Sequence, residues 1–139
     1  MSVFNHLDYK LAIRDLVDSR KQLDKKWTYQ RVAEVMGIQK SYLSQVLADR
    51  AELNADQLYL LIQELEIPSA DGEYLQLLLD YARSSVKRRK DDLKDKIDSI
   101  QRKKLVSESF LKVQTIADDN TSTNDYYLDS YNRSLSHYL

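Results

Sequence analysis

Apolar residues recur at helical spacing through most of the chain, and the interruptions between them predict where each helix stops. Tyr9, Ile13, Leu16 and Val17 form one stripe within a charged segment running from Leu7 to Leu23, which predicts an amphipathic first helix. The polar stretch from Asp24 to Lys26 ends it. Thr28 then stands where a hydroxyl accepts a backbone N–H at a helix start, ahead of an inner face made by Val32, Ala33 and Met36. Gly37 comes directly after and predicts a stop, because glycine reaches the left-handed conformation cheaply. Ile38 is a plug, and Gln39 to Leu47 is predicted as a third helix with Leu43, Val46 and Leu47 inward. After a connector from Ala48 to Leu53, Asn54 and Gln57 have the spacing of a capping box in front of the stripe Leu58, Leu61, Ile62 and Leu65. Pro68 ends that pattern at Ile67. Ser69 to Gly72 reads as a second break before a fifth helix carrying Tyr74, Leu75, Leu78, Leu79 and Ala82.

Beyond this head the spacing thins. Val86, Leu93, Ile97 and Ile100 make a narrow seam seven, four and three residues apart, interrupted by Lys90 and Lys104, with no helix breaker nearby. A long helix is predicted, continued or folded back through an apolar cluster from Leu105 to Ile116 that includes Phe110. The final segment, rich in Asp, Asn, Ser and Thr with four tyrosines, is expected to be loosely ordered. The fold class is therefore all-α: residues 1–83 as a five-helix head, 84–117 as a helical extension and 118–139 as a polar tail. Composition agrees, since two glycines and one proline in 139 residues, with 31% charged residues, suit helices and little else. Trp27 and the tyrosines at 9, 42, 59, 74 and 81 are expected at the core or its edge.

Net charge is −1, but it is unevenly distributed. Residues 1–58 carry nine Lys/Arg against eight Asp/Glu, 59–82 none against five, 83–104 ten against four and 105–139 two against five. A basic stripe between acidic segments can engage phosphates in a nearly neutral chain, and Lys87-Arg88-Arg89-Lys90 could equally be a solvated helix face. The chain has no cysteine, which excludes disulfides and thiolate metal sites, and His6 and His137 lack neighbours at ligand spacing, so no metal or other cofactor is expected. The phosphate-loop, dinucleotide, zinc-protease and nucleophile-elbow motifs are all missing, and carboxylates such as Asp91, Asp92, Asp95 and Asp98 alternate with lysines as ordinary surface pairs do. No enzymatic activity and no small-molecule ligand are expected. The longest apolar run, Leu58 to Ile62, is five residues, and Met1 to Asp8 has no export signature. Together these give an expectation of a cytoplasmic protein with no membrane partner.

The stretch Thr28 to Leu58, TYQRVAEVMGIQKSYLSQVLADRAELNADQL, resembles the helix-turn-helix of the Cro/C1 repressor superfamily. The likeness lies in the capped helix with Val-Ala and Met inward, Gly-Ile at the turn, a helix with Leu43 and Val46 inward, a basic-polar connector and a capped next helix. Tyr9 through Ala82 is similar, more closely, to the N-terminal half of a family of transcriptional regulators from predatory and fibre-degrading bacteria; this half alone is matched. The resemblance implies double-stranded DNA as partner, with the second of the two helices in the major groove and the first against the backbone. On this sequence it implies base reading by Gln39, Lys40, Ser41, Tyr42 and Gln45, and phosphate contacts by Thr28, Tyr29 and Arg50. Two positions depart from the superfamily pattern: Tyr29 where glutamine is common, and Asp49 where glycine is common.

One head reads one half-site, so a homodimer through residues 83–117 is expected, with Val86, Leu93, Ile97, Ile100 and Phe110 as its apolar contacts. The resulting expectation is a nucleoid-associated regulator reading a two-half-site operator. The competing reading is a non-catalytic interaction protein that keeps the scaffold and uses its long helix for self-assembly or partner docking.

Overall fold

A computed structural model describes the backbone of residues 2–120 and the side chains of residues 2–109. After a single 3-10 turn at Val3–Asn5, the helices are α1 (Tyr9–Leu23), α2 (Tyr29–Met36), α3 (Lys40–Leu47), α4 (Ala55–Glu64), α5 (Ser69–Arg83) and α6 (Lys87–Asn120). Among the described residues there is no strand, and the protein is all-α. The chain divides into two compact units, residues 1–97 and 98–139, with α6 running through the division.

In the first unit, α1, α2, α4 and α5 enclose a core that includes Tyr9, Ile13, Val32, Met36, Leu58, Leu61, Tyr74, Leu75 and Leu78, and α3 packs its Leu43 and Val46 onto α1 and α2. The predicted helix starts hold. Thr28 Oγ1 accepts from the backbone N–H of Arg31, and Asn54 and Gln57 form both halves of their box at 2.8 and 2.9 Å. Asp8 caps α1 one residue beyond Leu7, which is left exposed.

Three helices end in the same way. Gly37, Asp49 and Glu66 adopt φ of 72, 64 and 52°, and the next residue in each case has an N–H that bonds five residues back: Ile38 to Ala33, Arg50 to Gln45 and Ile67 to Ile62. With the bonds from the N–H of Gly37, Asp49 and Glu66 to the carbonyls of Glu34, Val46 and Gln63, this makes a pair at each end that satisfies carbonyls the helix leaves open.

Two expectations need correction, and at two places side chains find partners that the sequence did not signal. Ser69 to Gly72 is not a break but the first turn of α5. Pro68 provides its entry with φ −54°, and the N–H of Gly72 bonds the Pro68 carbonyl. Gly72 is there for packing, since a Cβ would come within 3.0 Å of Ile62 Cγ2 where α4 and α5 cross. Tyr59 is exposed rather than core. His6 is half-buried against Asp15 at 2.8 Å, and its carbonyl accepts from the Tyr74 hydroxyl. Of the basic run, Arg89 and Lys90 are not merely solvated: Arg89 faces Asp80 at 3.9 Å, and Lys90 bonds the Tyr81 carbonyl at 2.9 Å with its ammonium over the Tyr81 ring.

Val86 lies in the short link before α6 and is exposed, Leu93 and Ile97 are buried within the single chain, and Ile100 is half-buried. Helix α6 continues to Asn120; the Phe110 side chain, His137 and the rest of the expected polar tail, 121–139, lie outside the described residues.

Candidate nucleic-acid interface

The turn between α2 and α3 is set by two residues. Gly37 takes the left-handed conformation that closes α2, and Ile38, half-buried, pins the turn so that α3 starts with Gln39 as its N-terminal flanking residue. Because Leu43 and Val46 face the core, the opposite side of α3 presents Lys40 and Ser44 in one row and Ser41 and Gln45 in another, all exposed. Gln39 is exposed beside them. Among the described residues Lys40 has no ion-pair partner, and Ser41 makes only a long 3.5 Å contact to Gln39 Oε1. The outward end of α3 is therefore a donor-rich polar surface about two helical turns long, with one free ammonium at its start.

Tyr42 stands apart from its neighbours. It is half-buried, and its hydroxyl donates to the Glu52 carbonyl at 2.5 Å, tying α3 to the connector after it. Of the residues expected at phosphates, the Thr28 hydroxyl accepts from the Arg31 N–H and is exposed. Tyr29 donates to Asp18 Oδ1 at 2.9 Å; burial first, then this carboxylate, raises its hydroxyl above the ordinary tyrosine pKa. Arg50 is exposed at the tip of the connector, with its side chain unpaired among the described residues.

What holds this surface in place comes largely from basic residues of α1, to which no role is assigned from sequence. Arg14 Nη2 donates to the Leu47 carbonyl at 3.0 Å and Arg20 Nη2 to the Leu65 carbonyl at 2.6 Å, closing the C-terminal ends of α3 and α4 where the helix dipole favours a cation. Lys10, buried, reaches Asp49 Oδ1 at 2.6 Å and Glu52 Oε1 at 3.1 Å. Burial pulls its ammonium down, but the hydrogen bonds to Asp49 and Glu52 outweigh that, so its pKa lies above the usual lysine value. Tyr9, fully buried, donates to Glu52 Oε2 at 2.5 Å and accepts from the Leu53 N–H at 3.0 Å, while Arg83 Nη1 donates to the Leu53 carbonyl at 2.7 Å. Burial, and then the Glu52 carboxylate, hold the Tyr9 hydroxyl well above the ordinary tyrosine range. The connector is thus clamped at Asp49, Glu52 and Leu53 from α1, α3 and α5. Its one sequence signal was Asp49 at a position where glycine is common: that position needs φ of 64°, which aspartate tolerates better than most side chains.

No helix among the described residues is long and apolar enough to cross a membrane. Comparison with known proteins gives one family: residues 19–71, spanning α2, α3 and α4 whole, match the family model described as Helix-turn-helix. No curated protein and no solved structure matches the chain. With the glycine turn, the buried inner face of α3 and its polar outer face, residues 19–71 carry a helix-turn-helix domain of the Cro/C1 type.

Proposed function

We propose that the protein is a sequence-specific transcriptional regulator that binds double-stranded DNA by placing α3 in the major groove. The observation that carries this reading is the exposed row of Gln39, Lys40, Ser41 and Gln45 at the outward end of a helix whose other side is locked into the core. Lysine donates to guanine O6 and N7, glutamine pairs with adenine N6 and N7, and serine serves either. Tyr42 supports this set by fixing α3 to the connector and by lining its flank. Arg50 meets a phosphate from the connector, with Thr28 and Tyr29 alongside the same backbone from the start of α2; these contacts set register without reading sequence.

The protein acts as a homodimer through residues 83–117, because one head buries too little surface for tight specific binding and two half-sites about one helical turn apart double it. Leu93 and Ile97 are already covered within one chain, so of the residues described in this stretch the exposed Val86, Leu105 and Val106 and the half-buried Ile100 are the apolar side chains left for pairing, and Phe110 belongs to the same proposed set. The site of action is the bacterial nucleoid, and catalysis has no part in it.

The test is binding of the full chain to duplexes it selects from a random pool, with unselected DNA as competitor, alongside its mass in solution. Selected duplexes should bind about 10³-fold or more tighter than unselected ones, and the mass should be that of a dimer at micromolar concentration. Binding abolished by competitor would favour an interaction module on a helix-turn-helix scaffold instead, and a monomer would remove the two-half-site part of the reading.

A further inference from the structure

We propose that Lys10 is a positioning residue for DNA binding: from α1 it clamps the connector after α3 and neutralises the two carboxylates, Asp49 and Glu52, that flank the phosphate-contacting Arg50. This rests on the DNA-binding reading above and adds a charge-masking role to it.

The reasoning starts from the local charge. The connector reads Asp49-Arg50-Ala51-Glu52, one cation between two anions, which by itself would repel a phosphate about as well as attract it. The Asp49 side chain is 82% exposed and next to Arg50, so its carboxylate stands on the surface a DNA backbone would approach. Yet neither carboxylate is bare. The Lys10 ammonium, with a side chain only 5% exposed, lies 2.6 Å from Asp49 and 3.1 Å from Glu52, and the second oxygen of Glu52 is taken by the Tyr9 hydroxyl. Arg50 makes no such pair among the described residues and is exposed. Lysine suits the position because its compact ammonium carries three donors, enough to serve both carboxylates from below without reaching the surface. The same contacts set the geometry. Asp49 holds φ of 64° with its N–H on the Val46 carbonyl, and the Arg50 N–H reaches back to Gln45, a base-facing residue of α3. Holding Asp49 therefore holds both the end of α3 and the direction in which Arg50 leaves it.

Masking and folding make different demands on the same variants. Lys10→Met removes the ammonium and leaves both carboxylates. Affinity of the full chain for a random-sequence duplex at about 0.1 M salt should fall about tenfold, and amide exchange of residues 48–53 in the free protein should quicken. Adding Asp49→Asn to Lys10→Met keeps a side chain that tolerates the left-handed conformation and removes the exposed charge. Binding should return to within about threefold of the parent while the melting temperature stays low, a split that a purely structural role would not produce. Should Lys10→Met fail to fold, Lys10→Met/Asp49→Asn/Glu52→Gln leaves no unpaired charge and should bind the duplex within about threefold of the parent. Unchanged binding by folded Lys10→Met, or a folded neutral triple variant that binds as weakly as an Arg50→Ala control, would overturn the proposal alone. Failure of the parent chain to bind any duplex would overturn the DNA-binding reading and this proposal with it.

Discussion

Replacing Tyr9 by phenylalanine removes one oxygen from a site where nothing else can take its place. The ring of Tyr9 is fully buried, so its packing survives the change, and only the hydroxyl is lost. That hydroxyl donates to Glu52 Oε2 and accepts from the Leu53 N–H at 3.0 Å, inside a region where Leu53 is itself fully buried. Loss of the hydrogen bond to the carboxylate is worth about 1.5–3 kcal/mol, and a buried amide left without an acceptor costs about 1–3 kcal/mol. The two effects share one atom and do not simply add, so the expected loss is about 3 kcal/mol. In a unit of this size that lowers the melting temperature by roughly 10–20 °C. Urea and thermal unfolding of the full chain measure it, with an unchanged urea dependence to show that the unfolded state is the same. Tyr9→Phe in a Glu52→Ala background isolates the Leu53 contribution, because no side-chain acceptor at position 52 remains in either member of the comparison. A loss below about 0.5 kcal/mol would refute the claim that this hydroxyl anchors the connector.

Glu66→Gly should stabilise the protein by about 0.5–1 kcal/mol in the same unfolding assay, since Glu66 holds φ of 52° with an exposed side chain and glycine removes the left-handed penalty at some entropic cost. Gly37→Ala should cost about 1–2 kcal/mol from conformation alone, because nothing lies within 4 Å of the added Cβ. Lys10, Tyr9 and Tyr29 all have pKa values raised in the fold. Their contribution to stability is complete below their unfolded values near about pH 10 and is lost as pH rises through the folded ones, so melting temperature should drop steeply on the alkaline side. Tyr9→Phe should show less of that drop.

Helix starts were legible in this sequence because the groups that make them are side chains of particular kinds. Thr28, and Asn54 with Gln57, announce their helices by chemistry that acts over three residues. Helix ends were legible once in three. Gly37 declares a left-handed residue, whereas Asp49 and Glu66 adopt the same conformation and look like any surface acid. Only the comparison with a glycine-bearing pattern made Asp49 conspicuous. Pro68 marked the end of the helix before it, but the break expected from Ser69 to Gly72 is absent: a proline can also begin the helix after it, and Gly72 answers to Ile62 on another helix rather than to the local backbone. Periodicity placed Lys10, Arg14 and Arg20 on α1, but their partners lie 33–45 residues away and no local rule connects them. The outer face of α3 was readable for the opposite reason, since a glycine turn with polar residues at the start of a short helix is a local pattern. That Tyr42 and Tyr29 would spend their hydroxyls on Glu52 and Asp18 was not.

Whether α3 reads base edges is tested most directly by comparing Lys40→Ala, Gln45→Ala and Arg50→Ala on a selected duplex and on random DNA across a salt series. Lys40→Ala and Gln45→Ala should each cost about 1–3 kcal/mol on the selected duplex, relax sequence preference at defined base pairs and leave random DNA less affected. Arg50→Ala should weaken both duplexes alike and reduce the salt slope by about one. Equal losses on selected and random DNA for all three variants would show that the exposed face of α3 does not read sequence.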